Sequence, residues 1–415
     1  MTAVVHIDDL AHPRFDESQR VALEYAATLD VQFDVEAMLA KACDRARADD
    51  FGDPSFRTRL DAMIAAVEAD TGLAPLGRLA IHQRTTRLLT SRLLVHELLQ
   101  RHPEILDIAL PAPIIVIGLP RSGTTHLVNL VAADTRLRSL PYWESLEPCP
   151  RPGDTSPGGH DREARCRRDY EAQIQMVPLL PAMHHQHPTA IEEEIELEDI
   201  DFASYTLEWL ARVPGWRDFY LALDQHEHYA YLKKVLQVLT FLRGPDRWVL
   251  KSPQHLEQIP ALLATFPDAT FAVTHRDPVS VIQSAITMLA YGDRMRRVSI
   301  EPDALAAYWV DRVDRLLRAC VRDRDLLPAD RSIDVMFDEF MADDVGMVER
   351  IYQRNDRPMT AEARAQLVGF MAANPRGKHG RIAYDLTRDF GLDPDAVRAR
   401  FGYYFDRFPV VEEPS

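Results

Sequence analysis

Two kinds of hydrophobic pattern divide the chain. Up to about residue 105 the apolar positions recur at helical spacing. Val35, Met38, Leu39, Ala42, Cys43 and Ala46 make one stripe behind a cap at Asp34, and Leu60, Met63, Ile64 and Val67 make a second. Stripes of this kind bury one face of a helix, so residues 1–105 are expected to be a helical region packed on a larger body that spans 106–415. In that body short aliphatic runs take over: Ile114 to Ile117, Trp248 to Leu250 and Ala269 to Val273. Apolar residues at every position, bounded by a breaker or a charge, mark strands buried on both faces of a parallel sheet. Ser332 to Phe337 supplies a further strand. Helices are expected over Val279 to Met288 and along Leu305, Tyr308, Trp309, Val313, Leu316 and Cys320. The resulting fold class is α/β, a central parallel sheet flanked by helices with a helical N-terminal region.

The first strand runs straight into Gly118-Leu119-Pro120-Arg121-Ser122-Gly123-Thr124-Thr125 and then a helix. Two glycines at that spacing bring backbone amides onto an oxyanion at a helix N-terminus. A nucleoside triphosphatase would carry Lys and then Ser or Thr after the second glycine, for the β/γ-phosphates and magnesium. Here Thr124 and Thr125 stand there, and the loop's cation is Arg121, whose planar fork suits a terminal oxyanion. Lys251 and Arg276 each end a later strand. In open parallel sheets the ligand crevice lies beyond the strand carboxyl ends, so Arg121, Lys251 and Arg276 are placed to converge on one polyanion. The bland alternative is a strand-to-helix turn with glycines for geometry alone.

These motifs resemble the sulfotransferases that use 3′-phosphoadenosine 5′-phosphosulfate, in particular their bacterial branch, over roughly the last three quarters of the chain. The resemblance implies a P-loop-containing nucleotide-binding-like fold and no metal. It implies that Arg121, Ser122, Gly123, Thr124 and Thr125 hold the 5′-phosphosulfate, and that Arg276 and Ser284, eight residues apart, hold the 3′-phosphate. Arg376, Gly377 and Lys378 are similar to the family's basic loop over the nucleotide, and Lys251 to its strand-end lysine beside the transferred group. Cytosolic members place a histidine two residues after that lysine, where this chain has Pro253, with His255 two further on. Tyrosylprotein-type members resemble Leu140-Pro141-Tyr142-Trp143-Glu144, so Glu144 is the expected base, its pKa raised by an apolar setting from Tyr142 and Trp143. His184, His185 and Glu193 are the substitutes.

From Met176 to Asp201 apolar residues give way to His184-His185-Gln186-His187 and then Glu192-Glu193-Glu194. Thr189 and Glu192 have capping-box spacing, which predicts a helix starting there. Phe202, Tyr205, Trp209, Trp216, Phe219 and Tyr220 either line an apolar acceptor pocket or form core. The acceptor is thus a hydroxyl of a lipid, small molecule or carbohydrate.

With 48 basic and 64 acidic residues the net charge is −16, which opposes nucleic acid or an anionic membrane as partner. Cys43, Cys149, Cys166 and Cys320 are far apart and show no metal or redox spacing. The N-terminus lacks a signal-peptide pattern and no apolar run approaches the ~18 residues of a membrane span. A cytoplasmic location is expected, and no motif bears on oligomeric state. Two other readings remain at this level: a nucleotide or metabolite kinase with a degenerate phosphate loop, and a non-catalytic nucleotide-binding module.

Overall fold

Residues 4–244 and 247–414 are described by a computed structural model. Its strands are β1 (Val4–His6), β2 (Ile114–Gly118), β3 (Val249–Ser252), β4 (Thr270–His275), β5 (Ser332–Met336) and β6 (Arg381–Ala383). Four of them form a parallel sheet in the order β3-β2-β4-β5. Every residue of β2, β3 and β4 is buried, which is why these strands read as unbroken apolar runs. The register pairs Val116 with Lys251 and Gly118 with Thr274, so three strand ends finish side by side. The chain leaves β2 toward β3 on one flank and returns to β4 on the other. That reversal opens a crevice at the carboxyl end of β2.

One face of the sheet is covered by a core of Ile114, Val116, Leu127, Val128, Val335, Phe340 and Leu367. The other belongs to a much larger core that joins Ile115 and Ile117 to Leu39, Leu60 and Leu89 of the N-terminal helices and to Trp309. The helices Val35–Ala46, Phe56–Ala69 and Pro75–Arg101 therefore share their burial with the sheet domain. Asp34 caps the first of them by accepting from Ala37 N, satisfying one of the free amides of its first turn. Among the described residues no helix is long and apolar enough to cross a membrane.

Two expectations are corrected. β1 pairs in parallel with β6, so Val4–His6 is a strand within the region expected to be helical. Three residues are too few to show a period, and the pairing partner lies at the far end of the sequence. The helix expected from Thr189 also does not form; a short helix starts only at Ile195. Asn129 donates to Ile191 O at 2.9 Å and accepts from Ile191 N at 3.1 Å, and Glu192 N donates to Leu140 O at 2.9 Å. These tertiary bonds hold residues 191 and 192 extended and override the local capping signal.

Candidate active site

The loop after β2 is built around close approach. A Cβ on Gly118 would lie 1.9 Å from Thr274 Oγ1 and 3.0 Å from Ser122 Oγ, so only glycine lets the loop's hydroxyls pack here. Ser122 Oγ lies 2.6 Å from Leu119 O, to which it donates, and 2.7 Å from Thr274 Oγ1. Gly123 has φ +89° and starts the helix Thr124–Val131, whose first amides have no preceding turn to bond. Arg121 also has a left-handed backbone, at φ +69°. Its Nε donates to Ser284 Oγ at 2.9 Å, and its carbonyl accepts from Arg276 Nη1 at 2.7 Å. Arg121, Arg276 and Ser284, taken from three separate segments, are thereby one bonded unit. Arg276 further makes a two-point pair with the Glu413 carboxylate, at 2.7 Å from both Nε and Nη2, and lies 3.9 Å above the Phe337 ring.

Lys251 is fully buried, with Nζ 3.4 Å from Thr125 Oγ1 and ion-paired to Glu193. Its backbone amide donates to Glu194 Oε2 at 2.6 Å, while Glu194 Oε1 lies 2.8 Å from His255 Nε2. His255 Nδ1 in turn lies 2.8 Å from Tyr229 OH. Both ring nitrogens are therefore occupied in a closed network, and His255 is removed as a candidate base. Arg376 pairs with Asp344 at 2.8 Å, and Lys378 Nζ donates to Ala373 O at 3.1 Å. Gly377 turns their loop at φ +77°. Asp344 in turn lies 2.7 Å from His126 Nε2 on the helix Thr124–Val131, which ties Arg376 to the element after the Gly118–Thr125 loop. The Arg376–Lys378 loop also rests on the histidine segment, His379 stacking on His185 with ring centres 3.8 Å apart.

A cavity of about 480 Å³ opens against the loop. Arg121, Thr124, Thr125, His184, Glu192 and Glu193 line it together with the apolar Val177, Leu180, Trp209, Leu210, Leu289 and Met295, and Glu196 and Arg296 add further charge. The helix Pro75–Arg101 adds Leu76, Ala80 and Arg84, so the N-terminal region is part of the wall. Of the aromatic residues weighed as pocket or core, Tyr205 and Trp209 line the cavity, whereas Trp216 and Tyr220 are fully enclosed in the core. Burial depresses the His184 imidazole to about 3, with the charges of Lys251 and Arg121 acting the same way, so it is neutral at physiological pH. His185 is lowered to about 4 by burial and its histidine neighbours. Glu192 is raised to about 8, by burial first and then by Glu193 and Glu196, against the opposing charge of Lys251.

Glu144 is the principal correction. It is fully buried, accepts from Arg138 Nη2 at 2.9 Å and from Arg243 Nη2 at 2.8 Å, and does not line the cavity. Burial alone would raise its pKa, yet the charge of Arg138 and the hydrogen bonds of both arginines hold it below the usual carboxylate range. Its two guanidinium partners make it a structural acid. Trp143 packs against Arg162, 4.7 Å away, rather than shielding Glu144 from charge. Glu192, which lines the cavity, is not singled out by the sequence; its signal there is only membership of an acidic run that a capping role explains.

The crevice thus joins the loop residues Arg121, Thr124 and Thr125 to a cavity with many apolar lining residues. A profile of the Sulfotransferase family matches residues 113–361, and the chain belongs to that family. It is 24% identical over 260 residues to the omega-hydroxy-beta-dihydromenaquinone-9 sulfotransferases Stf3 of Mycobacterium bovis and Mycobacterium tuberculosis, covering 58% of this chain and 62% of theirs. The chain thus spans less than two thirds of those relatives' length. The crystal structure of sulfotransferase STF9 from Mycobacterium avium superposes with a TM-score of 0.82 at 26% identity, covering 93% of this chain and 100% of that one. Sulfotransferase STF1 from Mycobacterium tuberculosis H37Rv gives 0.78 at 26% identity, with 90% and 99% covered. The α/β fold and the family expected from the loop are both found.

Proposed function

We propose that the protein transfers the sulfuryl group of 3′-phosphoadenosine 5′-phosphosulfate to the hydroxyl of an apolar, lipid-like alcohol. The observation that carries this reading is the cavity itself, which is lined by the apolar Leu76, Leu210 and Met295 as well as by Arg121, Thr124 and Thr125. The names of the Stf3 relatives, sulfotransferases of a hydroxylated menaquinone, agree with an apolar acceptor. The four cysteines are free, which suits the reducing cytoplasmic setting proposed with it.

The residues fit such a nucleotide. Arg276 already grips an oxyanion in two-point fashion, the Glu413 carboxylate, so its guanidinium is disposed to take a phosphate in that carboxylate's place. Arg121 and the amides at the start of Thr124–Val131 would hold the phosphosulfate, and Arg276 with Ser284 the 3′-phosphate. The bound nucleotide supplies an activated sulfuryl group on a phosphate leaving group. Catalysis of such a transfer rests on positioning and charge stabilisation. The bond to Ser284 and the packed hydroxyls of Ser122 and Thr274 keep Arg121 from swinging. Lys251, beside Thr125, neutralises charge on the departing oxygen. The apolar walls exclude water, which would otherwise compete as acceptor.

Calorimetric titration with adenosine 3′,5′-bisphosphate tests the donor half of the reading. Binding should be independent of magnesium, stronger than that of adenosine monophosphate, and weaker by about 100-fold in Arg276→Ala, the scale of a lost charged two-point contact. Equal affinity for the mono- and bisphosphate would sink the reading.

A further inference from the structure

We infer that Glu192 is the base that takes the proton of the acceptor hydroxyl, an assignment that rests on the transfer reading above. Four histidine or carboxylate side chains line the cavity: His184, Glu192, Glu193 and Glu196. Glu196 is paired with Arg84 and Arg87, at 2.9 and 3.2 Å. Glu193 is engaged by the ammonium of Lys251. Glu192 is only 5% exposed, and its Oε1 accepts a hydrogen bond from no described group of the protein. The nearest candidate donor, His184 Nε2, stands 3.7 Å away, beyond hydrogen-bond length. A buried carboxylate oxygen without a donor is costly to keep, and in the wall of a ligand cavity it calls for a donor on the ligand. A hydroxyl is such a donor.

The backbone supports the same assignment. Asn129 clamps Ile191 through both its amide and its carbonyl, and Glu192 follows directly. Asn129 lies on the helix Thr124–Val131, whose first residues form the phosphate end of the site. The carboxylate and the donor-binding loop are therefore held by one rigid element, which fixes their separation. In the step itself, the hydroxyl proton passes to Glu192 Oε1 as the hydroxyl oxygen forms its bond to sulfur. The bond from sulfur to the 5′-phosphate oxygen breaks, and its electron pair stays on that oxygen, near Lys251.

The charged and titratable groups facing Glu192 are His184, Lys251, Glu193 and Glu196, with the Tyr142 phenol beside them. His184 is neutral, the two glutamates oppose ionisation and Lys251 favours it, with burial dominant. A carboxyl poised near 8 is a stronger base than an exposed one and ionises in the physiological range.

Dodecylamine and dodecanol, titrated calorimetrically into protein saturated with adenosine 3′,5′-bisphosphate, probe the assignment directly. Wild type should bind the ammonium several-fold tighter at pH 9 than at pH 7. Glu192→Gln should lose about tenfold of that affinity at pH 9 while its binding of dodecanol and of the bisphosphate is unchanged. Glu192→Asp, which keeps the charge, should retain the ammonium preference. Transfer of labelled sulfuryl group to dodecanol should fall about 100-fold or more in the Gln variant. Equal ammonium binding by wild type and Gln variant, full transfer by the Gln variant, or no binding of either dodecyl probe to wild type would overturn the assignment. Failure of wild type to bind the bisphosphate would instead overturn the nucleotide reading beneath it.

Discussion

The pocket between Arg138 and Arg243 and the cavity wall at residue 192 bury the same side chain to nearly the same depth. Glu144 is 0% exposed and Glu192 is 5%. The first has two guanidiniums for partners and titrates low; the second has an oxygen with none and titrates high. Burial is the largest influence on both, and it acts in the same direction on both. What separates a structural acid from a reactive one here is whether cations lie within bonding distance, not how deep the carboxyl sits.

The comparison can be broken most severely at Glu144. Glu144→Ala would strand the fully enclosed Arg138 without its counter-ion, and the expected loss is about 3–5 kcal/mol in chemical denaturation. The surviving folded fraction should bind the bisphosphate normally; lost binding with intact stability would return Glu144 to the site.

Neutral amides at the two positions should then act with opposite sign. Glu144 has a folded pKa below its unfolded one, so its stabilisation is present above the ordinary carboxylate range and disappears as pH falls through the folded value. Glu144→Gln should therefore lower the melting temperature at neutral pH. Glu192 has a folded pKa of about 8, above its unfolded one, so its contribution is complete in acid and is lost as pH rises from the ordinary carboxylate range through about 8. Glu192→Gln should match wild type near pH 5 and exceed it at pH 9, by about 1 kcal/mol or more. Melting curves of both variants across pH 5–9 check this, and a shift of the same sign in both would erase the distinction.

A third carboxylate is less buried than either. Glu413 and Arg276 are both partly exposed, at 27% and 21%, so their pair is screened. Glu413→Gln removes a competitor for Arg276 and should tighten bisphosphate binding by only about two- to fivefold, the worth of such a pair. No change, or weaker binding, would mean that the carboxylate does not compete.

The parts of the site that were legible in the sequence are those whose geometry is local. The loop Gly118–Thr125 declares itself because strand, glycines and helix are contiguous, and the eight-residue step from Arg276 to Ser284 fits two helical turns. Glu144 misled because one of the cations that decide its state, Arg243, lies 99 residues away in the chain. Glu192 was hidden for a related reason. Its capping-box spacing with Thr189 was real, but Asn129 and Leu140 claimed that backbone first. The β1–β6 pair, joining segments far apart in the sequence, left no periodic trace at all.

Arg121 holds a backbone conformation that glycine adopts freely and other residues adopt at a cost of about 1–2 kcal/mol. A chain selected for endurance alone would carry glycine there. Keeping arginine means that part of the molecule's reserve against unfolding has been converted into the aim of one guanidinium. Arg121→Gly should accordingly relieve that backbone cost while, on the proposed function, removing the guanidinium that holds the phosphosulfate.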